Sequence, residues 1–362
     1  MYERELEAIK KAHRFREREL YPEELIDLAS NDYLGYAEDH ALFQSACRRV
    51  GACRSFAPKA SQLVNGYHPI HREFEAYLCS INDFPAGIVA GSGFLANLSL
   101  IEALPRKKDL LLLDERYHAS GILASRLVDA KVAFFRHNDA EDLKRLIQSH
   151  HTGRVIVAVE GIYSMEGDLC PPEIFETADR YGALLIVDEA HSSGVVGERL
   201  LGVFDYYGIR PKPTHIKMGT LGKAMGSYGA YILASEEIIL YLQNRAKALI
   251  YATAPSVFDI ALGDEAVKKT QRERDTLKEA IKERQALAEE IFGIRIPGLI
   301  LRIEVGDSQK VMTLKEFAKK RGVLIGAIRP PTVERAILRI ILRTSVPIEE
   351  TEAFLRALKE RM

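Results

Sequence analysis

The chain has 362 residues, 47% of them hydrophobic, with 50 Lys and Arg against 51 Asp and Glu and a formal net charge of −1. That length and apolar content can fill the cores of two domains, whereas the balanced charge offers no broad field to gather a polyanion and speaks against a nucleic-acid partner. Cys47, Cys53, Cys79 and Cys170 are scattered, without the CxxC pairs of a zinc site or the density of a disulfide scaffold, which points to a reducing compartment.

In chain order, Met1 to Leu20 sets Leu6, Ile9 and Phe15 among charges of both signs and reads as an amphipathic helix. It lacks the apolar stretch of a signal peptide, and its acidic residues argue against a transit peptide. No apolar run approaches the roughly 20 residues that span a bilayer. The expectation is a cytoplasmic protein with no membrane partner. From Pro85 onward seven short apolar runs alternate with amphipathic stretches: Gly87–Gly91, Leu110–Asp114, Lys131–Phe135, Val155–Glu160, Leu184–Asp188, His215–Gly219 and Gly229–Ala234. This pattern predicts an α/β fold with a seven-stranded, mostly parallel sheet covered by helices on both faces. Several strands end in a polar residue (Asp114, Glu160, Asp188), where open α/β sheets bind ligands. After Tyr241 comes one long charge-rich helical stretch, Asp259 to Phe292, striped by Ile260, Val267, Leu277, Ile281 and Ile291. Beyond Pro297 the spacing predicts strand Leu299–Val305, helix Thr313–Arg321, strands Val323–Arg329 and Ala336–Leu342, and helix Ile348–Arg361. The expected division is an N-terminal helix and arm over 1–37, a large domain over 38–240, and a smaller C-terminal α/β domain with a long connecting helix over 241–362.

Lys223 lies in Met218-Gly-Thr-Leu-Gly-Lys-Ala-Met-Gly226, downstream of a buried-looking strand ending Val187-Asp-Glu-Ala-His191. A lysine and an aspartate brought together in this way suit pyridoxal phosphate. The amine can hold the cofactor aldehyde as an imine, and Asp188 can keep the pyridine nitrogen protonated so that the ring accepts electrons. Ser92-Gly-Phe-Leu-Ala-Asn97 follows the first core strand and opens a helix, so the N–H groups of Gly93 and Phe94 can bind a phosphate, with the Thr220 hydroxyl beside them. His191 can hydrogen-bond the phenolic oxygen, and His118 in Tyr117-His-Ala-Ser120 can lay its ring on the cofactor. Each signal alone has an ordinary structural explanation: an N-cap serine, a loop threonine, a capping aspartate, a core histidine. Two rival phosphate sites fail on spacing. Gly219-Thr-Leu-Gly-Lys-Ala224 does not match GxxxxGK[ST], and no GxGxxG follows the first strand. Without the phosphate loop, Asp188-Glu-Ala-His191 is no helicase motif.

Taken together, Ser30-Asn-Asp-Tyr-Leu-Gly35, Asn65-Gly-Tyr67, Ser92–Asn97, His118-Ala-Ser120, His137-Asn-Asp139, Glu160-Gly-Ile-Tyr-Ser-Met-Glu-Gly-Asp168, Asp188–His191 and Gly219–Lys223 resemble the α-oxoamine synthases. These are pyridoxal phosphate enzymes of the aspartate aminotransferase-like (type I) fold. They condense an amino acid with an acyl thioester and release carbon dioxide. The resemblance makes Lys223 the lysine that binds the cofactor, puts Asp188 at the pyridinium and His118 on the ring, and sets Gly93, Phe94, Ser164, His191 and Thr220 around the cofactor. It gives Arg339 the amino-acid carboxylate, places Asn31 and Thr332 near the substrate, and sends Arg18 to the far end of the acyl chain. Ile328-Arg-Pro-Pro-Thr-Val333 is similar to the biotin-pathway branch, which joins a pimeloyl thioester, carried on coenzyme A or an acyl carrier protein, to L-alanine. A homodimer is implied as well. The chain departs from the family pattern at Ala57-Pro-Lys-Ala-Ser-Gln62 and in the shortened loop Glu334-Arg335-Ala336, both toward the substrate end, and Arg335 and Arg343 compete with Arg339 for the carboxylate. A family member using glycine or serine with another acyl thioester, and a non-catalytic partner subunit, are the alternatives.

Overall fold

The computed structural model describes residues 1–11, 15–150 and 152–362. Along the chain run strands β1 (Ile26–Leu28), β2 (Ala86–Ala90), β3 (Leu110–Asp114), β4 (Lys131–Phe135), β5 (Val155–Glu160), β6 (Leu184–Asp188), β7 (His215–Thr220), β8 (Ala230–Ala234), β9 (Ile300–Gly306), β10 (Val323–Ile328) and β11 (Ala336–Ile341). Strands β2 to β8 form the expected seven-stranded sheet, ordered β2-β8-β7-β6-β5-β3-β4. Only β8 runs antiparallel to its neighbours.

The strands read as continuous apolar runs because both faces of this sheet are covered. Successive side chains point to opposite faces, and so each strand feeds two cores. Leu110, Leu112, Val157, Val159, Leu185 and Val187 enter one. Leu111, Leu113, Ile156, Ala158 and Ile186 enter the other. The first is closed by helices Pro69–Asn82, Pro172–Arg180 and Val257–Arg272, the second by Gly93–Ala103 and Glu236–Arg245. Each fully buried leucine contributes about 1.5–3 kcal/mol.

The second sheet is ordered β1-β10-β11-β9. Three of its strands were expected. The fourth, β1, is too short at three residues to leave a pattern, yet it pairs in parallel with β10 and anchors the segment that follows it. The buried Arg343 fastens that segment: its Nε donates to the Asp32 carbonyl at 3.0 Å, and its guanidinium reaches Asp32 Oδ2 at 2.7 Å and Asp27 Oδ2 at 3.2 Å. Asn31 and Tyr33 flank Asp32 and are fixed with it.

The stretch expected as one helix over 259–292 is two, Val257–Arg272 and Arg274–Phe292, parted at Glu273 with φ −102° and ψ 9°. No glycine or proline marks the break. The two halves share a core but pack against different helices: the first against His40–Gly51 and Pro69–Asn82, the second against Ile348–Arg361. The first carries Asp264 against Arg49 of the large domain, and the second sends Arg284 to the carbonyls of Arg343, Thr344 and Val346 beside the small sheet. Among the described residues no helix is long and apolar enough to cross a membrane.

Candidate active site

Register brings the polar strand ends together. Glu160 at the end of β5 lies opposite Asp188 at the end of β6, and Asp188 lies opposite Met218 of β7. The turn after β7 carries Lys223 and closes with Leu221 N donating to the Gly229 carbonyl at 2.9 Å. Gly226 in that turn has φ 56° and sits so close to the arm that a Cβ would come within 2.4 Å of Ala37 N. Only glycine fits there.

From Lys223 a chain of contacts runs to Arg339. The lysine Nζ lies 2.7 Å from His191 Nε2, His191 Nδ1 lies 2.5 Å from the Tyr33 hydroxyl, and that hydroxyl is 3.4 Å from Asn31 Oδ1. Arg339 donates from Nη2 to Asn31 Oδ1 at 2.9 Å and from Nε to the Ser164 carbonyl at 2.7 Å. Burial pulls the Lys223 amine down to about 8, against the charges of Asp188 and Glu160 that favour its protonated form. Burial, together with the cations Lys223 and Arg339, holds His191 well below its ordinary range and therefore neutral.

A second set fixes Asp188. Its Oδ2 accepts from Asn97 Nδ2 at 2.7 Å and its Oδ1 from Ala190 N at 3.0 Å. The Tyr117 hydroxyl donates to Asn97 Oδ1 at 2.8 Å and so orients the amide. Asn97 also donates to Ser120 Oγ at 3.1 Å, which lies 2.7 Å from Nδ1 of the half-buried His118. Beside Asp188, Glu160 is fully buried; its Oε2 accepts from Ser164 N at 3.2 Å, and its Oε1 has no partner among the described residues. Burial and the neighbouring carboxylate push Glu160 well above the usual carboxyl range.

At the third corner, Ser92 caps helix Gly93–Ala103 by accepting from Leu95 N at 3.2 Å. The N–H groups of Gly93 and Phe94, which have no intrahelical acceptor, are left for a ligand. A Cβ on Gly93 would lie 3.7 Å from Thr220 Oγ1, so the threonine hydroxyl borders the same corner. An amine, a fixed carboxylate, an imidazole ring, an unpartnered buried oxygen and a bare helix N-terminus thus surround one locus. Pyridoxal phosphate fits this set: the helix end and Thr220 suit its phosphate, Asp188 its ring nitrogen, Lys223 its aldehyde.

The three arginines point in different directions. Arg339 points into the network, Arg343 turns to Asp27 and Asp32, and Arg335 pairs with Glu304 at 2.5 Å outside it. The substrate end is looser. Thr332 is exposed, and the arginine that reaches it is Arg16, at 3.5 Å, while Arg18 lies exposed away from this network. The sequence reading gave no role to Asn97, Tyr33 or Glu160. Asn97 had a signal, being the one amide on the buried face of an otherwise apolar helix. Tyr33 stood within the Ser30–Gly35 motif but was given no contact, since a tyrosine next to a leucine reads as core until His191 is set against it.

The sequence model of the family described as "Aminotransferase class I and II" matches residues 23–358. The chain belongs to this family. It lies on its α-oxoamine synthase branch: an 8-amino-7-oxononanoate synthase of Helicobacter pylori strain J99 is 40% identical over 360 residues, covering 99% of this chain and 96% of that protein. Among solved structures, the 8-amino-7-oxononanoate synthase of Francisella tularensis superimposes with a TM-score of 0.77 at 24% identity, over 94% of this chain and 98% of that one. A serine palmitoyltransferase from S. paucimobilis with bound PLP and myriocin superimposes at 0.88 and 21% identity, over 99% and 96%. At such identities the two structures establish the shared fold of this aminotransferase family member.

Proposed function

We propose that this chain is a pyridoxal phosphate-dependent C-acyltransferase that condenses L-alanine with a pimeloyl thioester, releases carbon dioxide and yields 8-amino-7-oxononanoate, a step of biotin biosynthesis. The observation that carries the proposal is the continuous path from the Lys223 amine through His191, Tyr33 and Asn31 to Arg339, joined to the near full-length similarity to 8-amino-7-oxononanoate synthases.

When bound, pyridoxal phosphate supplies a ring that draws electrons from the amino-acid Cα. The chain supplies the rest. Gly93 and Phe94 N–H and the Thr220 hydroxyl would hold the phosphate, His118 and Ser164 would line the ring, His191 would meet its oxygen, and Asp188, positioned by Asn97 and Ala190 N–H, would keep the proton on the pyridine nitrogen. Arg339 grips the alanine carboxylate, its guanidinium already oriented by Ser164 and Asn31. That grip turns the Cα–H toward Lys223, whose depressed amine is suited to accept the proton near neutral pH. Asn31, Thr332 and the arm with Arg16 and Arg18 border the acyl end. In this account the protein works as a homodimer in the cytoplasm; the exposed Phe43, Phe56, Leu63, Val64 and Tyr228 are candidates for its interface.

The test is a mass-spectrometric product assay with pimeloyl thioester and each of alanine, glycine and serine. The amino-ketone from alanine is expected to dominate. Preference for glycine or serine would move the chain to another α-oxoamine synthase activity, and no product with any of them would favour a non-catalytic partner subunit.

A further inference from the structure

His137 and Asn138, in the motif His137-Asn-Asp139, have no part in the chemistry above, yet the structure builds a clamp on them. His137 Nδ1 lies 2.9 Å from Asp114 Oδ1 at the end of β3, and its Nε2 lies 2.9 Å from Asp168 Oδ2. Both partners are carboxylate oxygens, which only accept, and a neutral imidazole donates from one nitrogen alone. The geometry therefore requires an imidazolium with two charge-assisted bonds. The ring stands edge-on to Tyr163, with centroids 4.4 Å apart and planes at 89°. Asn138 adds its backbone N–H to Asp114 Oδ2 at 2.9 Å and its amide to Asp168 Oδ2 and the Leu169 carbonyl, each at 3.1 Å.

What the clamp grips is a small hairpin. Ile162 bridges Leu169 in antiparallel fashion, Tyr163 N donates to the Asp168 carbonyl at 3.0 Å and Gly167 N to the Tyr163 carbonyl at 2.8 Å. Ser164 opens its tip. Its carbonyl is one of the two acceptors that aim Arg339.

We propose that His137 is a positioning residue for substrate carboxylate recognition: strapped as a cation between Asp114 and Asp168, it fixes the Ile162–Leu169 hairpin and through the Ser164 carbonyl sets the direction of the Arg339 guanidinium. Burial opposes the charge on His137, but the hydrogen bonds and charges of Asp114 and Asp168 push it up to about 10. Glu166 and Arg116 also face this region, 3.9 Å from each other. The cation persists throughout the neutral range. The inference rests on the reading of Arg339 as the carboxylate grip.

The experiment compares wild type, His137→Ala, His137→Gln and Arg339→Lys as full-length protein. With His137→Ala the KM for alanine is expected to rise about tenfold, the worth of one buried hydrogen bond, while kcat stays within about threefold and the KM for the thioester is unchanged. His137→Gln, whose amide still donates to one carboxylate, recovers part of the loss. Hydrogen exchange of the cofactor-free protein should quicken in the 162–169 segment and not in 218–226. Should His137→Ala fail to fold, Asp168→Asn, which weakens one bridge only, is expected to give the same split in smaller measure. Unchanged KM for alanine and unchanged exchange, or equal rises in KM for both substrates, overturn the proposal. If Arg339→Lys also leaves the KM for alanine unaltered, it is the function that fails; if Arg339→Lys raises it and the His137 variants do not, the clamp alone fails.

Discussion

The two edges of the large sheet differ in what their polar groups still lack. At the edge where β3, β5, β6 and β7 begin lies a cavity of about 570 Å³, lined by Leu104, Arg154, Leu184, Thr214, Ile238 and Tyr241 among others. It is spacious, and its two arginines are engaged. Arg154 donates to Asp109 Oδ2 at 2.7 Å and to the Leu104 carbonyl at 2.9 Å, and Arg106 covers the Tyr241 ring at 5.4 Å. At the opposite edge the groups are crowded, yet among the described residues Glu160 Oε1 has no partner, Lys223 is held toward its neutral form, and the first N–H groups of the helix at Gly93 have no intrahelical acceptor. Chemistry follows unspent hydrogen-bonding capacity and perturbed protonation, not volume.

That contrast can be broken in order of expected effect. Asp188→Asn removes the charge partner at the crowded edge and is expected to lower kcat by about a hundredfold or more with the fold intact by circular dichroism; a variant as active as the parent would make Asp188 structural. Arg339→Lys loses the bidentate fork and should raise the KM for alanine roughly tenfold to a hundredfold, measured by steady-state kinetics. Equal KM values would leave the carboxylate to another group. The His137 clamp gives a pH signature in stability. Its pKa is raised in the folded state from 6.5 to about 10, so its stabilisation is complete below about 6.5 and is lost as pH rises through about 10. Thermal melts of wild type and His137→Ala should therefore differ by a few degrees at pH 6 and converge toward pH 10; a gap that widens with pH would contradict the clamp. Smallest of all, Arg106→Ala at the spacious edge should leave kcat and both KM values unchanged.

Legibility in the sequence divides by range. The seven strands of the large sheet could be read to within a residue, the inner ones because both their faces are buried, and Leu110–Asp114 is as plain a signal as a chain gives. That Lys223, Asp188, His191 and His118 lie near one another could be expected from their motifs, since each sits at or just after a strand end or in a turn. Strand β1 was hidden because a three-residue edge strand has no periodicity, and the break at Glu273 was hidden because it answers to different tertiary partners on either side of it. The roles of Tyr33, Asn97 and the His137 clamp depend on partners 158, 91 and 31 residues away. Only the folded sheet brings those together.

Two buried-lysine environments within one short segment allow the most direct test. Lys217 on β7 donates to Asn82 Oδ1 at 2.8 Å and to the Leu201 carbonyl and is spent, whereas among the described residues Lys223 hydrogen-bonds only to neutral His191, at 2.7 Å. Purified protein loaded with pyridoxal phosphate, reduced with borohydride and digested, should carry the pyridoxyl mass on the peptide containing Lys223 and on no other, and Lys223→Ala should carry none. An adduct on Lys217 or elsewhere, or one that survives in the variant, would contradict the account.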